Sequence, residues 1–147
     1  MIKIKKNSSS NGFTLVEMVV VIAIIAIIMA ISTPQILKAL RSAQKKADYA
    51  NAKLIAYAFY QWSYENGQEL NSVITDNDWH MIDSDNVTGF TNFNLGQFIT
   101  GGLPKPKFNK NYSFYYKIDT DGVFKIYAGD ETNKYLLYPD GDLNNYK

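Results

Sequence analysis

Residues 18–31 contain only methionine, valine, isoleucine and alanine, and residues 13–17 extend this run with Thr14 and Glu17 as its only polar members. A helix over these roughly 19 positions spans about 28 Å, the thickness of a bilayer's hydrocarbon core. Within it Ala23, Ala26 and Ala30 recur at steps of three and four, which sets small residues on one face where a neighbouring backbone can approach. Pro34 removes a backbone donor and crowds the carbonyl of Ala30, so a kink or a loosened turn is expected there. Beyond it Ile36, Leu37, Leu40, Ala43, Ala47, Ala50, Leu54, Tyr57, Ala58 and Trp62 keep a helical period. Lys38, Arg41, Lys45, Lys46, Asp48, Asn51 and Lys53 are assigned to the opposite face. The pattern predicts one helix from about residue 13 to about residue 63, on the order of 75 Å long, half apolar all round and half amphipathic. Glu65-Asn66-Gly67 supplies its stop, with Gly67 suited to the left-handed conformation after a helix end.

Residues 68–111 lose this period and are rich in Asn, Asp, Thr and Gly, with a break at Gly101-Gly102-Leu103-Pro104-Lys105-Pro106. A loop region with short helical or strand pieces is expected. The period then becomes two. Tyr112, Phe114, Tyr116 and Ile118 alternate with Ser113, Tyr115 and Lys117; a turn at residues 119–122 leads to a second strand over 123–128, and a turn at 129–134 to a third over 135–138. The prediction is α+β: a long N-terminal helix with a small antiparallel sheet against its amphipathic half.

The chain has 147 residues and a formal charge of +1, which commits it to no anionic partner. It has no cysteine, so disulfides, thiol nucleophiles and thiolate metal sites are excluded. The stretch from residue 64 onward is too short to make a generous core alone, so the helix must lend it an apolar face. Lysines flank the apolar run on both sides, and counting them does not set its orientation.

Glu17 is the feature that a plain membrane anchor leaves unexplained. An ionisable group in a spanning segment costs about 2.5–3.5 kcal/mol at mid-helix and marks function by default. A secretory signal peptide, with Ala30-Ile31-Ser32 as its cleavage site, is the competing reading, although a charge within the apolar stretch is foreign to such peptides. Gly12-Phe13-Thr14-Leu15-Val16-Glu17, after a short polar leader with lysines and before the unbroken run, resembles the prepilin cleavage motif of type IV pilins and related pseudopilins. Asn11 stands where such proteins commonly carry Lys or Arg.

The resemblance implies that residues 1–12 are a leader, cut between Gly12 and Phe13 by a membrane prepilin peptidase that also methylates the Phe13 amine. It implies that 13–33 form the membrane and then filament core, with Pro34 at the position of a helix-bending proline. Residues 64–147 would be a head, made of a connecting loop (64–111), an antiparallel meander (112–138) and a C-terminal loop: the pilin fold. The implied partners are further copies of the chain, joined through their N-terminal helices, the peptidase, an assembly platform with its ATPase, and the membrane before assembly. Glu17, Phe13 and Thr14 become the assembly residues, with Glu17 of an incoming subunit meeting the Phe13 amine of one already placed. The implied location is the cell membrane with the head outside, and then a surface filament. Many relatives close the C-terminal loop with a disulfide; here packing of residues 139–146 must replace it, as in the disulfide-free pilins of Gram-positive lineages.

No catalytic constellation is visible and no cofactor is implied. His80 is the only histidine and is read as a loop residue beside Trp79. Asp119, Asp121, Asp140 and Asp142 invite a calcium reading, since secretion pseudopilins often bind calcium near the C-terminus. The EF-hand spacing is not met and Asp-Gly pairs form turns, so no metal is expected. Lys105, Lys107 and Lys110 are read as a solvated loop, because nucleic-acid sites show broader basic patches. The functions in view are a type IV pilus subunit for motility, adhesion or biofilm formation, a type II secretion or competence pseudopilin, and an exported binding protein behind a signal peptide.

Overall fold

The computed structural model describes residues 12–83, 87, 90, 93–120 and 122–147. The chain divides into two units, Met1–Ala39 and Leu40–Lys147, and helix α1 (Leu15–Asn66) contributes to both. In the first unit the apolar side chains of α1 are all exposed, and its most apolar 18-residue window has a mean hydropathy of 2.9. By length and composition this segment is able to cross a membrane. Pro34 lies inside the helix, and one residue earlier the Thr33 hydroxyl donates to the Met29 carbonyl at 2.7 Å.

In the second unit, α1 ends as the sequence predicts. Gly67 adopts φ 62°, its N–H donates to Tyr64 O, and that of Gln68 to Ser63 O, the paired bonds of a Schellman end. Two short helices, α2 (Leu70–Val73) and α3 (Leu95–Phe98), and a short strand, β1 (His80–Ile82), occupy the connecting region. Strands β2 (Ser113–Ile118), β3 (Phe124–Gly129) and β4 (Lys134–Tyr138) follow, and the four form an antiparallel sheet in sequence order. Phe114, Tyr116 and Ile118 pair with Ala128, Ile126 and Phe124, so the apolar alternation of both strands falls on one face. The turn into β4 is tight: a side chain at Gly129 would collide with the backbone of Asn133 and Lys134. A register shift between Ile126 and Tyr127 gives β4 an extra residue, and Leu137 is fully buried beside it.

The helix face that meets the sheet differs from the one expected. Ala58 and Trp62 are buried as expected, but Asp48, Ala52, Ile55 and Phe59 complete the buried stripe, whereas Leu40, Ala43, Ala50, Leu54 and Tyr57 are exposed. Both faces of this half are apolar enough to satisfy a helical period, and the aromatic rings decide between them. Phe59 lies 4.8–5.3 Å from the rings of Phe90, Phe93, Tyr116 and Phe124, and Trp62 packs on Phe90 and Phe93.

Asp48 is a second correction. The helical period sets it on the solvated face, yet it is fully buried, and its carboxylate accepts bonds from Lys107 N (2.6 Å), Phe108 N (3.0 Å) and the Tyr146 hydroxyl (2.8 Å). A buried carboxylate is tolerable when its lone pairs are filled, and these donors fill them. Lys45 donates to Leu143 O and lies over the Phe108 ring, Tyr49 donates to Pro139 O, and Tyr112 donates to Lys147 O. The C-terminal segment is thus fastened by hydrogen bonds to α1 and its surroundings.

Burial raises the phenols of Tyr60 and Tyr116 to about 12 from the ordinary 10.0. That of Tyr146 is raised further, by burial and then by its bond to Asp48. A raised folded-state pKa gives stability that is complete below pH ~10 and lost as the pH climbs toward ~12. Burial raises Tyr112 and Tyr115 as well, so five of the 11 tyrosines should ionise late in a phenolate absorbance titration, Tyr60, Tyr116 and Tyr146 last and together with loss of circular dichroism. Ionisation of all of them near pH 10 with the fold intact would refute this.

Candidate functional site

Gly12 and Phe13 precede the helix, and Leu15 is its first residue. Thr14 is the N-cap: its carbonyl accepts the first helical bond, from Met18 N at 3.3 Å. Its hydroxyl oxygen accepts from Glu17 N at 3.2 Å, and Glu17 Oε2 in return accepts from Thr14 N at 2.7 Å and the Thr14 hydroxyl at 2.8 Å. This is a capping box, Thr-x-x-Glu, in which two helix-terminal donors are satisfied reciprocally. The carboxylate also lies in the first turn, where the helix dipole favours a negative charge.

The spacing Thr14-Leu15-Val16-Glu17 is the sequence signal for this box, one the reading of the apolar run above leaves out. The structure brings Thr14 and Glu17 together. Phe13 is exposed, and its backbone nitrogen is still a peptide amide in the uncut chain. Among the described residues no side chain or backbone donor bonds Glu17 Oε1, so one carboxylate oxygen is committed to Thr14 and the other is open.

Residues 7–33 match the family model described as the prokaryotic N-terminal methylation motif. The chain carries the type IV prepilin signature. No curated protein and no solved structure matches it. The prepilin motif and the exposed apolar helix together fit a membrane-anchored precursor, and the motif implies cutting by a peptidase and assembly into a pilus.

The other candidate residues lie elsewhere. Asp119 accepts from Thr120 N and pairs with Lys125 at 3.1 Å, and Asp142 accepts from Asn144 N and Asn145 Nδ2, so both act as turn formers. Asp140 is exposed after β4, and Asp121 lies outside the described residues. Among the described residues no group of three or more His, Cys, Asp or Glu side chains is placed to hold a metal ion. His80 opens β1 instead of lying in a loop: its ring stacks on Tyr116 at 4.8 Å and its Nε2 is 2.7 Å from Asp76 Oδ1. Lys105, Lys107 and Lys110 are exposed, and the backbone of Lys107 serves Asp48. Residues 1–11, most of the expected leader, lie outside the described residues.

Proposed function

We propose that the chain is a structural, filament-forming subunit of a type IV pilus, cut between Gly12 and Phe13 and held in the membrane with its head outside until it polymerises through α1. The observation that carries this reading is the capped Glu17 at the head of an unburied apolar helix inside the prepilin motif. Cutting turns the Phe13 amide into an amine that can be positive. Glu17 Oε1 is then the acceptor for that amine, from its own chain or from a neighbour, while Oε2 stays with Thr14. In a low-dielectric core such a pairing offsets much of the cost of burying either charge.

A second observation points the same way. In the Leu40–Lys147 unit, α1 leaves Leu40, Ala43, Ala50, Leu54 and Tyr64 open to solvent at helical spacing, away from the face that packs on the sheet. A stripe of this kind suits contact with helices of further copies. Glu17 also favours a main filament subunit over a tip-initiating relative that lacks this carboxylate. No catalytic role is proposed.

Mass spectrometry of the mature N-terminus tests the reading. N-methyl-Phe13 is the expected first residue. A chain beginning at Thr33 would mean a conventional signal peptide and an exported protein of another class.

A further inference from the structure

The second unit has a base and a tip, and its charges are sorted between them. Asp48 fixes the base, because it binds Lys107, Phe108 and Tyr146. The end of α1 and the β2–β3 turn form the tip, where Tyr60, Ser63, Glu69, Leu70, Ile118 and Phe124 line one open cleft of about 380 Å³. Arg41 falls seven residues before Asp48, hence on the helix face that carries the head and directly beneath it. Arg41, Lys45 and Lys46 of α1 share the base with Lys105, Lys107 and Lys110 of the loop fastened to Asp48. Asp130, Glu131, Asp140 and Asp142 lie there too; Asp130 and Asp142 are bound into their own turns, while Glu131 and Asp140 are exposed and leave the cations in excess.

The tip is acidic. Between Lys53 and Lys105 the sequence has no lysine or arginine. Glu65 lies in the last turn of α1, which has no basic residue, so it adds to the negative end of the helix dipole where a cation would be favoured. Glu69 follows, exposed and with no cationic partner among the described residues, and Asp119 at the β2–β3 turn is matched by Lys125. Arg41 likewise has no carboxylate partner among the described residues.

The two ends cannot neutralise each other. From Arg41 to Glu65 the helix rises about 36 Å, several times the Debye length of about 8 Å at physiological salt. A chain with opposite unpaired charges at its two ends is complementary to another copy of itself placed end to end, and such a heterologous contact propagates without closing.

We infer that the acidic tip of one head, Glu65 and Glu69, docks under the basic base of another, Arg41 with Lys107, and that this contact sets the offset between subunits along the fibre. The inference rests on the filament reading above and adds to it a specific head-to-tail surface with a second copy of this chain as occupant.

The test uses the full-length chain in cells that display its filaments, with sheared filaments, membrane-resident subunit and mature N-terminus measured in parallel. Arg41→Glu with Lys107→Glu should lower filament yield at least about tenfold, as should Glu65→Lys with Glu69→Lys, because each sets like charges against each other. The four changes together exchange the ends and should bring filaments back toward the wild-type amount, a recovery that misfolded heads could not show. Unchanged yield in either pair, or no recovery in the fourfold variant, overturns the inference. So does a loss of membrane-resident subunit confined to the base pair, which would assign those cations to anionic lipid headgroups. Wild-type chain that is processed yet forms no filaments would instead overturn the filament reading itself.

Discussion

Asp48→Ala is expected to destabilise the head by about 3–5 kcal/mol, among the largest effects of any single change outside the aromatic core. The substitution leaves the Lys107 and Phe108 N–H groups and the Tyr146 hydroxyl without their acceptor, in a place where Asp48 is fully buried. Each orphaned donor costs about 1–3 kcal/mol, less what entering water recovers. Because Phe108, Tyr112 and Tyr135 pack on the Tyr146 ring, release of the carboxylate loosens an aromatic cluster as well. Thermal unfolding of the detergent-solubilised full chain, followed by near-ultraviolet circular dichroism, should show Tm falling on the order of 10–20 °C. Residues 139–147 should also become open to limited proteolysis. Tyr146→Phe keeps the ring and removes one bond to a charged group, so about 1.5–3 kcal/mol is expected from it. A loss below about 1 kcal/mol for Asp48→Ala would mean that the C-terminal segment is held by its rings alone.

That carboxylate also shows where sequence reading stops. Helical periodicity placed α1 and its Gly67 stop, because burial and backbone conformation there depend on near neighbours. Period-two alternation placed β2 and β3, whose inward residues match the observed register. Asp48 was misplaced because its donors are 59 to 98 residues away, and a polar residue on a helix looks solvated until such partners arrive. For the same reason the expected packing face of α1 holds only at Ala58 and Trp62: two apolar faces satisfy one period, and contacts with Phe90, Phe93 and Phe124 decide between them. Strand β1 is three residues between Trp79 and Asp83, too short for alternation to register. At the candidate site the Thr14-x-x-Glu17 spacing was fully local and thus legible. A charge partner for an apolar helix accounts for Glu17 without the cap, so only the geometry brings out its bond to Thr14.

Glu17 can be tested as two devices in one side chain, and the variants separate them. Glu17→Gln keeps an acceptor within reach of Thr14 N and so retains most of the cap, while removing the negative charge. Thr14→Ala does the reverse: it removes the cap hydroxyl, costing about 0.5–2 kcal/mol of helix stability, and leaves the charge in place. If the carboxylate's decisive role is to meet a Phe13 amine in the filament core, Glu17→Gln should behave like Glu17→Ala. An unpaired buried charge costs about 3–5 kcal/mol, so both should reduce surface filaments roughly a hundredfold or more, with N-methyl-Phe13 subunits accumulating in the membrane. Thr14→Ala should still assemble, at a few-fold lower yield. The opposite ranking, with Glu17→Gln assembling and Thr14→Ala failing, would make Glu17 a helix cap whose charge is incidental. Wild-type assembly by Glu17→Ala would remove it from assembly altogether. The structure favours the first ranking because the cap uses only Oε2, and a carboxylate needed for the cap alone would leave its second oxygen with nothing to do in a medium where unfilled acceptors are costly.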